Sequence, residues 1–119
     1  MKFVSYVGAC VDGNGQRYPW CYNWAVSQDD CAATASASAS AVGYMMVGSG
    51  ATKGCSILYP FGQNVKQDIL CEQYNTGSFG PSGFKGTGYP VGATPDTGYS
   101  CFAKAGLYTC KQAGVTPVI

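Results

Sequence analysis

The sequence predicts a small α+β domain stapled by disulfides, with one helix among short strands and a long Gly/Pro-rich loop. Three observations predict it. Seven cysteines (Cys10, Cys21, Cys31, Cys55, Cys71, Cys101 and Cys110) are spread evenly through 119 residues. That spacing suits bridges between distant segments, and it contains no Cys-x-x-Cys pair for zinc or thiol exchange. A single segment carries a well-formed helix start, and several short apolar runs are bounded by Gly, Asn and Pro.

Taken in order, residues 2–7 and 17–24 read as strands joined by Asp12-Gly13-Asn14-Gly15, a tight turn because Gly and Asn tolerate positive φ. The Asp-x-Asn-x-Gln spacing is similar to the start of a calcium loop, but Arg17 stands where such a loop requires Gly. No metal or other cofactor is expected. Ser27 can cap a helix whose first turn holds Asp29 and Asp30, and the Ala-rich run carries it over 28–40. With methyl groups on its buried face this helix can lie close to a sheet, anchored by Cys31. Residues 41–47 are apolar on both faces and predict a central strand. Residues 55–59, stopped by Pro60, form the second arm of a hairpin with it. Gln63 to Tyr74 fits a short helix or a strand around Ile69-Leu70-Cys71. Asn75 to Gly98 is the long Gly/Pro-rich loop, carrying Phe79, Phe84 and Tyr89. It reads equally as a functional loop and as an excursion whose aromatics tuck onto the body. Residues 99–104 and 107–111 are closing strands. One domain spans 1–113, and 114–119 is a C-terminal tail.

Composition excludes several function classes. Seven scattered basic residues and a net charge of +1 give no cationic footprint for nucleic acid. The longest apolar run, 41–47, is far shorter than the roughly 18 residues of a membrane helix, so no membrane span is expected. Residues 1–7 begin basic and apolar but break at Gly8 and Cys10, too short for a secretory leader. The expectation is therefore a mature chain or an excised module. Disulfides imply an extracellular, secreted location. No Asn-x-Ser/Thr acceptor occurs.

Catalysis is not expected. The chain has no histidine, the usual base for a serine or cysteine nucleophile. Asp12 belongs to a turn, and Asp29 and Asp30 to a helix start. Asp68 and Glu72 stand four apart, a spacing that usually means a solvated helix face. The candidate ligand-binding residues lie at 17–24. On an extended strand Tyr18, Trp20, Tyr22 and Trp24 share one face, with Cys21 on the other. They form either a platform for sugar rings, with Arg17 and Asn23 as polar contacts, or part of the core. By base rate, at least two of the four belong to the core.

Several of these features together resemble PAN/apple-type modules, especially the Gly- and Tyr-rich versions in secreted algal proteins such as those of diatoms. They are Phe3-Val4-x-x-Val7-Gly8-x-Cys10-Val11-Asp12, the aromatic run Tyr18 to Trp24, and Ser27-x-x-Asp30-Cys31-Ala32 entering a helix. Val42-Gly43-Tyr44 before Cys55-x-Ile57-Leu58, and Gly98-Tyr99-Ser100-Cys101-Phe102, complete the set. The likeness spans about residues 3–104 and is one of order and spacing. It implies an antiparallel sheet cradling one helix. It also implies a Cys10–Cys101 bridge between terminal strands, and a bridge from Cys31 to Cys55 or Cys71. The family's helix carries two cysteines four apart, and here Ala35 occupies the second place. Cys21 and Cys110 receive no partner from the resemblance. Because seven is odd, at least one cysteine is left over. Cys110, near the exposed end, is the candidate, either crosslinking two chains or buried as a free thiol.

The function expected is a non-catalytic extracellular recognition or adhesion module that binds a glycan or an extracellular protein. The alternative is a structural subunit of an extracellular matrix or filament, self-associating and crosslinked through the odd cysteine.

Overall fold

A computed structural model of the chain describes residues 2–23, 27–48, 54–62, 78–79 and 84–104. In chain order the elements are β1 (Phe3–Val7), β2 (Cys10–Val11), β3 (Trp20–Asn23), α1 (Gln28–Ala37), β4 (Gly43–Val47), β5 (Gly54–Leu58), β6 (Ser78–Phe79), β7 (Gly92–Ala93) and β8 (Tyr99–Lys104). Six strands form one sheet in the order β1-β8-β4-β5-β3-β6, and β2 pairs with β7 in a small second sheet. Every pairing is antiparallel. One helix on a small antiparallel sheet, held by disulfides, is the α+β architecture that the sequence predicts.

The expected central strand is central. β4 runs between β8 and β5, and its Gly-Tyr-Met-Met segment is buried on both faces. Strand alternation divides the core in two. Tyr44, Met46, Cys55, Ile57 and Cys21 pack with Cys31 and Ala35 of α1. Met45, Leu58 and Cys101 pack on the opposite face with Ala9, Cys10, Tyr18 and Val42. On the helix side Phe3 meets Tyr44 edge-on at 4.9 Å, and Tyr44 stacks on Phe102 at 4.7 Å. These rings join β1, β4 and β8 beneath the helix.

The helix starts where its sequence dictates. Ser27 Oγ accepts from the Asp30 amide at 3.1 Å, and Asp29 and Asp30 fill the first turn. It ends at Ala37, not at residue 40. Ser38 turns extended, and its carbonyl accepts from the Lys104 ammonium at 2.7 Å. Val42 already donates to the Leu58 carbonyl, so the chain must leave the helix in time to enter the sheet. Lys104 is buried there, its cation at the negative end of the helix.

The first predicted hairpin does not form. The turn at 12–15 exists: Gly15 donates to the Asp12 carbonyl at 3.0 Å and Asp12 to that of Gln16 at 3.0 Å. Yet β1 pairs with β8 while β3 pairs with β5 and β6. Gly8, at φ +122° and tight against the Thr94 carbonyl, redirects the chain out of β1 into β2. The turn closes after that detour.

Cys10–Cys101 is bonded across 91 residues and Cys31–Cys55 across 24. The resemblance implied the first. It left the second open between Cys55 and Cys71, and the helix is tied to β5 through Cys55 although Ala35 stands at the family's second position. Cys21 is also disulfide-bonded. Cys71 and Cys110 lie outside the described residues, as do the segment 63–74, the strand expected at 107–111 and the tail at 114–119. Of the expected long loop, residues 78–79 and 84–98 are described, and they hold β6 and β7.

Candidate functional site

On the face turned away from α1, β5 is the low strand. It presents Gly54 and Ser56 between bulkier neighbours, with Tyr22 of β3 opposite Ser56 on one side and Met45 of β4 opposite it on the other. Val47 pairs with both Gly54 and Tyr99, which brings β8 to the same edge. The Tyr22 ring lies so close over Gly54 that a Cβ there would overlap it. Large side chains around two small ones leave a depression. It is a groove of about 230 Å³ lined by Arg17, Trp20, Tyr22, Met45, Val47, Ser56 and Tyr99.

Arg17 approaches from the segment before β3. Its guanidinium carbon lies 4.9 Å from the centroid of Phe84, 5.3 Å from Tyr99 and 5.8 Å from Trp20. Each contact has cation–π geometry. Trp20 and Phe84 pack at 5.3 Å, tilted by 47°. The backbone sets this cluster: the Gly86 amide donates to the Arg17 carbonyl and the Phe61 amide to the Gly86 carbonyl, both at 2.8 Å. Phe84 is thereby held against β3. Burial, and then the nearby Tyr99, push the Tyr22 phenol above its ordinary value, so it stays neutral.

The structure brings together Arg17, Trp20 and Tyr22 of the predicted residues. Tyr18 belongs to the core instead. It is 2% exposed, packed with Cys10, Met45, Leu58 and Cys101. It lies on the groove's side of the sheet, packed on Met45 and Leu58, but is closed over there. The Gly86 backbone covers its ring, and its hydroxyl finds no hydrogen-bond partner among the described residues. Burial first, then the charge of Asp12, raise the Tyr18 pKa strongly. Trp24 and the Asn23 side chain lie outside what the structure describes.

Sequence reasoning missed Tyr99, Phe84, Met45, Val47 and Ser56. Tyr99 carried a signal: it sits two residues before Cys101 on the same strand, so it shares the face opposite the helix. Ser56 and Gly54 carried another, as small residues in an otherwise apolar strand.

A second groove of about 370 Å³ runs between β1 and the 87–91 segment, with Val4, Tyr6, Tyr89 and Val91 on its walls. Asp12 fastens that segment. Its carboxylate accepts from the amides of Asn14 and Gln16 at 2.9 Å and of Thr87 at 3.0 Å. Burial alone would raise its pKa, but these amides together outweigh it and hold the carboxyl below its ordinary value. Among the described residues no group of three or more His, Cys, Asp or Glu side chains is placed to hold a metal ion. No helix among them is long and apolar enough to cross a membrane.

Comparison with family models, with curated proteins and with solved structures finds no match to this chain.

Proposed function

We propose that this protein is a secreted, non-catalytic recognition module of PAN/apple-like type that binds a saccharide in the Arg17–Tyr99 groove. The observation that carries this reading is the half-buried state of Trp20, Tyr22 and Tyr99 around a depression with a small-residue floor. Aromatics that serve only the core are closed over, as Tyr18 is by the Gly86 backbone and Tyr44 by Phe3 and Phe102. Those lining the groove leave part of their surface open, which suits stacking against a sugar ring. At about 230 Å³ the space is below the ~300–1,000 Å³ of drug-sized pockets, so it suits a single ring of a longer chain. The bridges Cys10–Cys101 and Cys31–Cys55 support an oxidising, extracellular setting.

A glycan array tests the reading. Binding of at least one saccharide, abolished by Trp20→Ala in a protein of unchanged far-ultraviolet circular dichroism, is the expected result. An array with no binding contradicts it.

One observation favours the second reading, a self-associating structural subunit. β1 is at the edge of the larger sheet, with Val4 41% and Val7 77% exposed. An exposed apolar edge strand is a template for pairing with another chain. Non-reducing electrophoresis that shows a dimer, lost in Cys110→Ser, would favour this alternative.

A further inference from the structure

The groove holds a cation whose directional bonding capacity is unused by the described residues. Arg17 carries five N–H donors, and among the described residues neither a carboxylate nor a carbonyl receives any of them. Its interactions are with the rings of Phe84, Tyr99 and Trp20. Cation–π contact and hydrogen bonding use different parts of a guanidinium. Rings take its face, whereas donors project in its plane. Three rings around the guanidinium confine it, while no described group takes its donors.

That confinement has two consequences for a ligand. Arg loses little further side-chain freedom on binding, so a fork-shaped acceptor meets a preorganised partner. The half-buried setting also makes a charge-assisted bond stronger than at an open surface. A neutral hydroxyl offers the fork only one oxygen. A carboxylate or sulfate accepts two in parallel, matching the fork.

Resting on the saccharide reading above, we propose that the groove selects an anionic saccharide. The edge of the Arg17 guanidinium receives a carboxylate or sulfate while the sugar ring packs against the Trp20–Tyr22 side. The class is a uronate or a sulfated sugar, which present the same acceptor geometry. The described acids Asp12, Asp29, Asp30 and Asp96 contribute no lining to the groove.

Calorimetric titration with four trisaccharides tests this. They are trigalacturonate, its neutral methyl ester, 6-sulfated galactotriose and unsulfated galactotriose. At least one anionic member should bind ten-fold or more tighter than its neutral counterpart, and which one does identifies the anion. Arg17→Gln should erase that difference, so that the variant binds the anionic and neutral members equally. Arg17→Lys keeps the charge but loses the fork, and should retain only part of the preference. Equal affinity for charged and neutral members would overturn the proposal and leave the saccharide reading standing. So would an unchanged preference in Arg17→Gln, even with a lowered melting temperature. Absence of binding by all four, together with a blank glycan array, would remove both.

Discussion

Two buried polar side chains, Asp12 and Tyr18, are treated in opposite ways by the fold. Three backbone amides meet the Asp12 carboxylate, while the Tyr18 hydroxyl is met by none of the described groups. A depressed carboxyl pKa means that the folded state binds the proton more weakly than the unfolded chain, whose value is near 3.8. The Asp12 contribution to stability is thus fully present above that value and lost as pH falls through the lower folded one. Urea unfolding should show stability falling in acid, and Asp12→Asn should lose stability at neutral pH and flatten that decline. Tyr18→Phe should do the reverse of the usual core substitution. Removing a buried hydroxyl without a partner should leave stability unchanged or raise it by about 1 kcal/mol in the same measurement. Neither fate was legible in the sequence. The Asp12 turn was, but Thr87, which supplies the third amide, is 75 positions away. Tyr18 reads as the first member of an alternating aromatic run and does share that face, but the Gly86 backbone, from a distant part of the chain, covers it.

Among the elements, local chemistry decided what could be read. The start of α1 was legible because Ser27, Asp29 and Asp30 act within one turn. Ser27→Ala should lower the unfolding free energy by about 1 kcal/mol, measured by urea denaturation, as loss of a helix cap does. The end of α1 was not legible, because Lys104 and the register of β4 impose it from outside. Strand β4 announced itself through apolar residues on both faces. The pairing of β1 with β8 did not, since its partners are about a hundred residues apart in the chain. Long-range strand pairing leaves no mark in the sequence near either strand. The site follows the same rule. Trp20 and Tyr22 were visible as a local alternation, whereas the floor at Ser56 and the wall at Tyr99 depend on which strands lie side by side.

For the whole molecule, the covalent frame and the recognition face are linked. Cys101 sits two residues from Tyr99 on β8, and its bridge to Cys10 fastens that strand to β2. A crosslink closing a loop of this length contributes about 4–5 kcal/mol by the chain-entropy argument. Replacing both Cys10 and Cys101 by Ala should lower the free energy of unfolding by roughly that amount, within the ~2–5 kcal/mol typical of native bridges in small secreted domains. It should also loosen the Tyr99 wall of the groove. The most direct measurement of the account is a ¹H–¹⁵N correlation spectrum recorded while the best saccharide from the array is titrated in. The shifts should concentrate on the Trp20 indole and on the amides of Tyr22, Met45, Val47, Ser56 and Tyr99, with α1 unaffected. Shifts confined to the β1 edge and the 87–91 segment, with the Trp20 indole unmoved, would contradict the assignment of this face as the binding surface.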